Sequence, residues 1–177
     1  MSVAEKKRKN NIAEYIIHMY QTEDLIRAYE FDLDQIKARI VANIPGDDEE
    51  KNDLAKWYED LIAKMKKEGL EKSGHLSEVK EIVAELSSIH KELQSIDNNF
   101  EEVHNKSKAH IEKSKAFSQG QIEDEVQICL NGVYGLLLLR MEGKTIAPDL
   151  MESINAFGDI LSYLSFKYKQ RHFMSES

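Results

Sequence analysis

The feature that most restricts the fold of this chain is a run of apolar residues whose spacing alternates between three and four positions. The run consists of Val79, Ile82, Leu86, Ile89, Leu93, Ile96, Phe100 and Val103. Such steps return to one face of an α-helix, and a run of this length is typical of a coiled-coil seam. The phase continues through Asp97-Asn98-Asn99, three poor helix formers. A break there stays open, but the unbroken phase favours one long helix or two helices stacked end to end.

The rest of the chain contains few residues that interrupt helices. Among 177 residues there are two prolines and eight glycines, too few for the many tight turns of an all-β domain. The composition is 41% hydrophobic and 32% charged, which is typical of a globular protein. The sequence therefore predicts an all-α fold in a single domain over residues 1–177, in which residues 1–10 form a basic, flexible lead-in.

Helix start and stop signals divide the chain further. Asp32, followed by Gln35, is typical of a capping box, Asp47 gives the next start signal, and Pro148 is a favoured first-turn residue. The first helix is predicted over about Asn11–Tyr29, with its apolar stripe at Ile12, Ile16, Met19 and Ile26. Together these signals predict a single up-and-down bundle of six or seven helices.

The sixth predicted helix, at about Ile122–Met141, is apolar around its whole circumference. Its apolar residues are Val126, Ile128, Cys129, Leu130, Val133, Tyr134 and Leu136 to Leu139. Such a helix must be surrounded, so we expect it to be the central helix of the bundle or to be partly covered by a second protomer. Gly132 and Gly135 would allow a neighbouring helix to approach closely. This pattern favours a homodimer.

Charge and cysteine content exclude several classes of protein. The formal net charge is −8, which argues against nucleic-acid binding, and the basic Lys6–Lys9 segment is expected to be solvated. A single cysteine, Cys129, excludes an internal disulfide and fits a reducing compartment. No apolar run reaches the length of a membrane span, and the first residues do not form a secretory signal. We therefore expect a cytoplasmic protein with no nucleic-acid or membrane partner.

Two patterns of metal-ligating residues are present, and neither is convincing from sequence alone. Glu101 and His104 have the Glu-x-x-His spacing of dimetal bundles, but no second such pair exists, and a solvated face is the better interpretation. Glu78, Glu81 and Glu85, with the Glu123-Asp124-Glu125 cluster, resemble the magnesium ligands of all-helical nucleotide pyrophosphatases. Acidic residues at a helix start are, however, favoured by the helix dipole alone. We expect no metal site, no cofactor and no catalytic residue.

Four polar residues interrupt the apolar pattern and need an explanation. Glu23 lies in the core stripe of the first helix with Arg27 one turn later, and Asn131 and Arg140 interrupt the apolar sixth helix. Because a buried charge needs a partner, we expect Glu23 to be buried and to pair with Arg140 first and Arg27 second. The alternative is a ligand-binding or active site between helices formed by Glu23, Arg27, Asn131, Tyr134 and Arg140.

Three blocks of the chain are similar to a known family. They are Asn11 to Ile16, Gln21 to Arg27, and Cys129 to Arg140. The chain resembles, over nearly its whole length, an uncharacterised all-helical Bacteroidetes family catalogued as a domain of unknown function. The resemblance implies a bacterial, cytosolic, helical protein and brings no activity or site residue. The leading hypothesis is a non-enzymatic interaction or scaffold protein that forms a homo-oligomer and has an unidentified protein partner. The alternative is the ligand-binding protein or enzyme described above.

Overall fold

The computed structural model describes residues 1–174, which contain eight α-helices, one 3-10 turn and no strand. The helices are α1 (Val3–Asn10), α2 (Ile12–Ala28), α3 (Leu33–Arg39), α4 (Asp48–Lys67), α5 (Ser77–Ile96), α6 (Asn98–Phe117), α7 (Glu125–Met141) and α8 (Pro148–Phe173), and the 3-10 turn is Val41–Asn43. The all-α prediction is confirmed. No helix within the described residues is both long enough and apolar enough to cross a membrane.

The chain forms two compact units, and the prediction of a single domain stays a prediction. The first unit comprises Met1–Ser2 and His18–Lys80, and the second comprises Val3–Ile17 and the chain from Glu81 onward. In the first unit, α3 and the 3-10 turn pack against α4. The start signals there are confirmed: the Asp32 side chain accepts a hydrogen bond from the backbone N–H of Gln35, and that of Asp47 accepts one from Glu50.

In the second unit, α7, α6 and α1 pack against α8. Its buried stripe consists of Ile154, Phe157, Ile160, Leu161, Leu164, Ser165 and Tyr168. The backbone N–H of Ala13 donates a hydrogen bond of 3.2 Å to Oγ of Ser165, which lies 152 positions later in the chain. The first and last parts of this sequence are therefore joined within one unit.

Within residues 1–10, Val3–Asn10 forms α1, and the flexibility of this lead-in stays a prediction. Lysine and arginine are good helix formers, and two contacts hold α1 in the second unit. Ala4 is buried, and the guanidinium of Arg8 lies 5.6 Å from the ring centroid of Tyr15. The basic segment therefore contributes packing and a cation–π contact as well as charge.

The predicted long helix is wrong, because the chain reverses direction at Asp97. Asp97 has an extended backbone, with φ of −123° and ψ of 103°, and its side chain caps α6 by accepting a hydrogen bond from the N–H of Phe100. In two coaxial helices, residues 14 positions apart would be separated by about 21 Å. Instead the rings of His90 and His104 have centroids 5.1 Å apart. The seam from Ile82 to Val103 therefore belongs to two helices that pack on each other.

The described residues cover the apolar helix α7 only in part, so cover by a second protomer, one of the two expectations for this helix, stays a prediction. The first half of α7 is buried, as shown by Val126, Cys129 and Leu130, but Leu138 is 38% and Met141 is 62% exposed. The main neighbours of α7 are α8 and α6, and two helices cover only part of its circumference. Its second half therefore leaves an apolar surface uncovered.

The two glycines of α7 differ in their surroundings. A Cβ atom on Gly132 would lie 2.7 Å from Cδ2 of Phe157, so the close approach of a neighbouring helix is confirmed there. A Cβ atom on Gly135 would have no atom within 4 Å. The close packing expected at Gly135 is therefore not made within the described chain.

Candidate functional site

Three chemically active side chains from three helices of the second unit meet at one point. His90 comes from α5, His104 from α6 and Glu125 from the first turn of α7. Oε1 of Glu125 accepts hydrogen bonds from Nε2 of His90 at 3.0 Å and from Nε2 of His104 at 2.7 Å. The histidine side chains are buried, whereas that of Glu125 is 24% exposed. We call these three residues the His–His–Glu cluster.

Two aspartate caps place the cluster. Asp97 lies between the end of α5 and the start of α6. His90 is seven residues before it and His104 seven residues after it, and the two rings face each other. Asp124 caps α7 by accepting a hydrogen bond from the N–H of Gln127, which makes Glu125 the first residue of that helix. A carboxylate at a helix start is also stabilised by the helix dipole.

The electrostatics of the cluster favour an ionised carboxylate. The hydrogen bond from His90, reinforced by His104, lowers the pKa of Glu125 to about 2, although burial acts in the opposite direction. Lys115 adds a positive charge, with Nζ 3.8 Å from Oε2 of Glu125. Burial raises the pKa of the Cys129 thiol, as do the charges of Glu125 and Asp124, so this cysteine stays a neutral thiol.

Sequence reasoning did not find this cluster. It considered His104 only with Glu101, expecting a solvated face, and Glu125 only with its acidic neighbours at a helix start. The first expectation is wrong, because His104 is 6% exposed. His90 precedes His104 by 14 positions and Glu125 by 35, and no helical or strand period connects them. The one weak signal in the sequence was the group of poor helix formers at Asp97–Asn99, where the chain reverses direction between α5 and α6.

In the first unit, Glu23 and Arg27 of α2 hold the segment that precedes α5. Oε2 of Glu23 accepts a hydrogen bond of 2.7 Å from the N–H of Leu76, and Oε1 accepts one of 2.8 Å from Nδ1 of His75. Arg27 donates from Nε to the carbonyl of Leu70 at 2.9 Å, and also to the carbonyl of Gly74. Both side chains therefore bind one loop.

The outcome for the predicted site residues is mixed. Glu23 is 1% exposed, so its predicted burial is confirmed. Its predicted partner is wrong: His75 and Leu76 occupy the carboxylate, whereas Arg140 is exposed. Asn131 is exposed and Tyr134 is half-buried. Sequence pattern detected a charge in the stripe, but it had no means of identifying a loop backbone as its partner.

A groove of about 690 Å³ lies in the first unit between α3, the 3-10 turn and α4. Three lysines line it together with Asp48 and Glu59. Lys51 donates to the carbonyl of Ala42, and Lys56 pairs with Glu59 and Asp60. Two of the three lysines are therefore already engaged, so the groove offers less specific chemistry than the His–His–Glu cluster.

Comparison with known protein families gives a match over nearly the whole chain. The family model described as "Domain of unknown function (DUF4924)" matches residues 1–174. No curated protein and no solved structure matches the chain.

Proposed function

Since the chain belongs to the family of the domain of unknown function DUF4924, its own residues must indicate its role, and we propose that it is a non-enzymatic interaction protein that forms a homodimer through α7. The proposal places it in the bacterial cytoplasm. An acidic chain with one buried thiol supports that location.

The proposal is carried by a stripe along the uncovered side of α7. Its residues, separated by steps of four and three, are Gln127, Asn131, Tyr134, Leu138 and Met141. The stripe is about 21 Å long. Leu138 and Met141 are exposed apolar residues, and Tyr134 is half-buried. This is the spacing of a coiled-coil seam, on a surface that faces solvent.

The stripe fits a second copy of the same chain. Asn131 occupies an a-type position, where an asparagine that meets its counterpart fixes register and oligomeric state. Gly135 lies beside the stripe with open space around it, which allows a second helix to come close. A stripe that pairs with itself produces an isologous dimer with twofold symmetry.

The ligand-binding alternative has less support. Glu23 and Arg27 are both engaged by backbone groups of one loop, and Arg140 is exposed. Polar groups that already satisfy each other are typical of structural pairing. The exposed apolar seam is the stronger observation, and it favours assembly over catalysis.

The test is the mass of the full chain in solution, measured by light scattering coupled to size exclusion. We expect about 41 kDa, twice the 20.4 kDa of one chain, and a monomer for Leu138→Glu. Phe166→Glu is the matched control, because Phe166 is a 52% exposed apolar residue of α8 outside the stripe. It should remain dimeric. A wild-type chain that stays monomeric at about 100 µM, a concentration at which mass action favours association, would contradict the proposal.

A further inference from the structure

We propose that the His–His–Glu cluster is a binding site for one divalent transition-metal ion of the zinc and ferrous-iron class. The ligand atoms would be Nε2 of His90, Nε2 of His104 and a carboxylate oxygen of Glu125. These atoms all lie within 4.8 Å of one another. The site would be independent of the surface of α7 that supports the dimer.

The distances are close to those that an ion requires. Ligand atoms about 2.0–2.1 Å from a tetrahedral zinc ion lie about 3.3 Å from each other. The nitrogen-to-oxygen distances in the cluster are 3.0 Å for His90 and 2.7 Å for His104. Each of these two distances therefore has to widen by only about 0.3–0.6 Å. The two histidine nitrogens lie within 4.8 Å of each other.

The donor set selects the class of ion. Two imidazoles and one carboxylate suit zinc, and with open positions they suit ferrous iron, whereas magnesium and calcium prefer ligands that are all oxygen. Binding through Nε2 requires each neutral ring to carry its proton on Nδ1.

The ion would be open to solvent on one side. Both histidine side chains are less than a tenth exposed, but Glu125 is 24% exposed and provides the route of entry. Three protein ligands leave a fourth position for water or for a small anionic ligand. This arrangement distinguishes open zinc sites from closed structural ones.

Lys115 is the residue that opposes binding. Its ammonium group lies 3.8 Å from Oε2 of Glu125 and 3.4 Å from Oε1 of Glu112. A cation at the cluster would be repelled by this charge. Removing the charge while keeping the side-chain stem, as in Lys115→Met, should therefore tighten metal binding by about tenfold.

The experiment is a titration of the untagged, chelator-treated full chain with Zn²⁺, followed by a competing metal dye, and with Co²⁺ as a spectroscopic probe. We expect one ion per chain. His90→Gln, His104→Gln and Glu125→Gln should each weaken binding at least tenfold, since even loss of an outer partner can cost about that much. The matched control is His172→Gln, because His172 contacts Glu85 at 2.6 Å without a second histidine. It should bind as the wild type does.

The proposal is overturned if the wild-type chain takes up no Zn²⁺, or if the three cluster variants bind like the control. In that case the cluster is a hydrogen-bonded structural feature. Circular dichroism establishes which variants fold. If the cluster variants do not fold, the Zn²⁺ affinity of Lys115→Met is the test. A higher affinity than that of the wild type supports the site, and an unchanged or lower affinity refutes it. The mass of each variant, measured in parallel, keeps a failure of the dimer separate from a failure of the metal site.

Discussion

The rings of His90 and His104 meet at an interplanar angle of 78° with centroids 5.1 Å apart, although they lie in different helices. This relationship depends on Asp97, which stands midway between them and caps α6. A local backbone feature thus creates the chemical cluster. Substitution of Asp97 should therefore change both the free energy of unfolding and the relative position of His90 and His104.

Asp97 gives a prediction on pH dependence. The hydrogen bond from the Tyr163 hydroxyl, at 2.7 Å, and the cap bond from Phe100 lower the pKa of Asp97 below its ordinary value of 3.8. A lowered pKa means that the folded state favours the ionised form. The resulting stability is fully present above the ordinary pKa and is lost as the pH falls through the lowered one.

We therefore expect Asp97→Asn to be less stable than the wild type at pH 7 and the difference to shrink as the pH approaches 3. Asparagine keeps the capping ability, so the change isolates the charge. Urea midpoints at the two pH values measure the effect. Tyr163→Phe provides the control background, in which the substitution should matter less. A difference that grows in acid would refute the argument.

Glu23 gives a prediction on stability. Glu23→Ala leaves the buried N–H of Leu76 without its acceptor and removes the bond to His75. The free energy of unfolding should fall by about 2–4 kcal/mol. Glu14→Ala, at an exposed acid on the same helix, should change it by less than about 0.5 kcal/mol. Denaturant unfolding of both variants is the measurement.

The pairing of Glu23 with Arg140 that sequence predicted gives a second test of Glu23. Because Arg140 is exposed, Arg140→Met should change the free energy of unfolding by less than about 0.5 kcal/mol. In a double-mutant cycle with Glu23→Met, the two effects should add. A coupling energy above about 1 kcal/mol would restore the original pairing.

The glycines of α7 give a matched pair of predictions. Gly132→Ala forces the new methyl group against the buried ring of Phe157 and should destabilise the chain by about 1–3 kcal/mol. In the monomeric Leu138→Glu background, Gly135→Ala meets open space and should raise helix stability by about 0.5–1 kcal/mol. Thermal unfolding of the two variants is the test. Equal changes in Tm for the two variants would show that the ring of Phe157 moves away from position 132 at no cost.

The elements that sequence predicted well are those with a local signal. Asp32, Asp47 and Pro148 mark helix starts through their own backbone chemistry, and the stripe of α2 is buried at Ile12, Ile16, Met19 and Ile26. Apolar phase also identified the seam on both sides of Asp97. It did not reveal the reversal, because two helices can share one phase whether they continue or fold back.

The candidate site was harder to predict for the same reason. His90, His104 and Glu125 meet only after two turns have been made, and neither turn leaves a period in the sequence. Glu23 was identifiable as an anomaly in its stripe. Its partners, however, are the side chain of His75 and a backbone N–H, a group that every residue except proline carries. The apolar spacing of the helix is enough to identify Glu23 as a buried charge, but its partners can be identified only from the tertiary structure.

The hydrogen bond between Ala13 and Ser165 has a consequence for how the protein folds during synthesis. Contacts around Asp97 close a loop of about 14 residues within microseconds, whereas the contact of Ala13 with α8 joins positions 152 residues apart. Closure of so long a loop has a larger entropic cost. The first helices therefore leave the ribosome long before their packing partner exists, and the second unit is completed only after α8 has been translated.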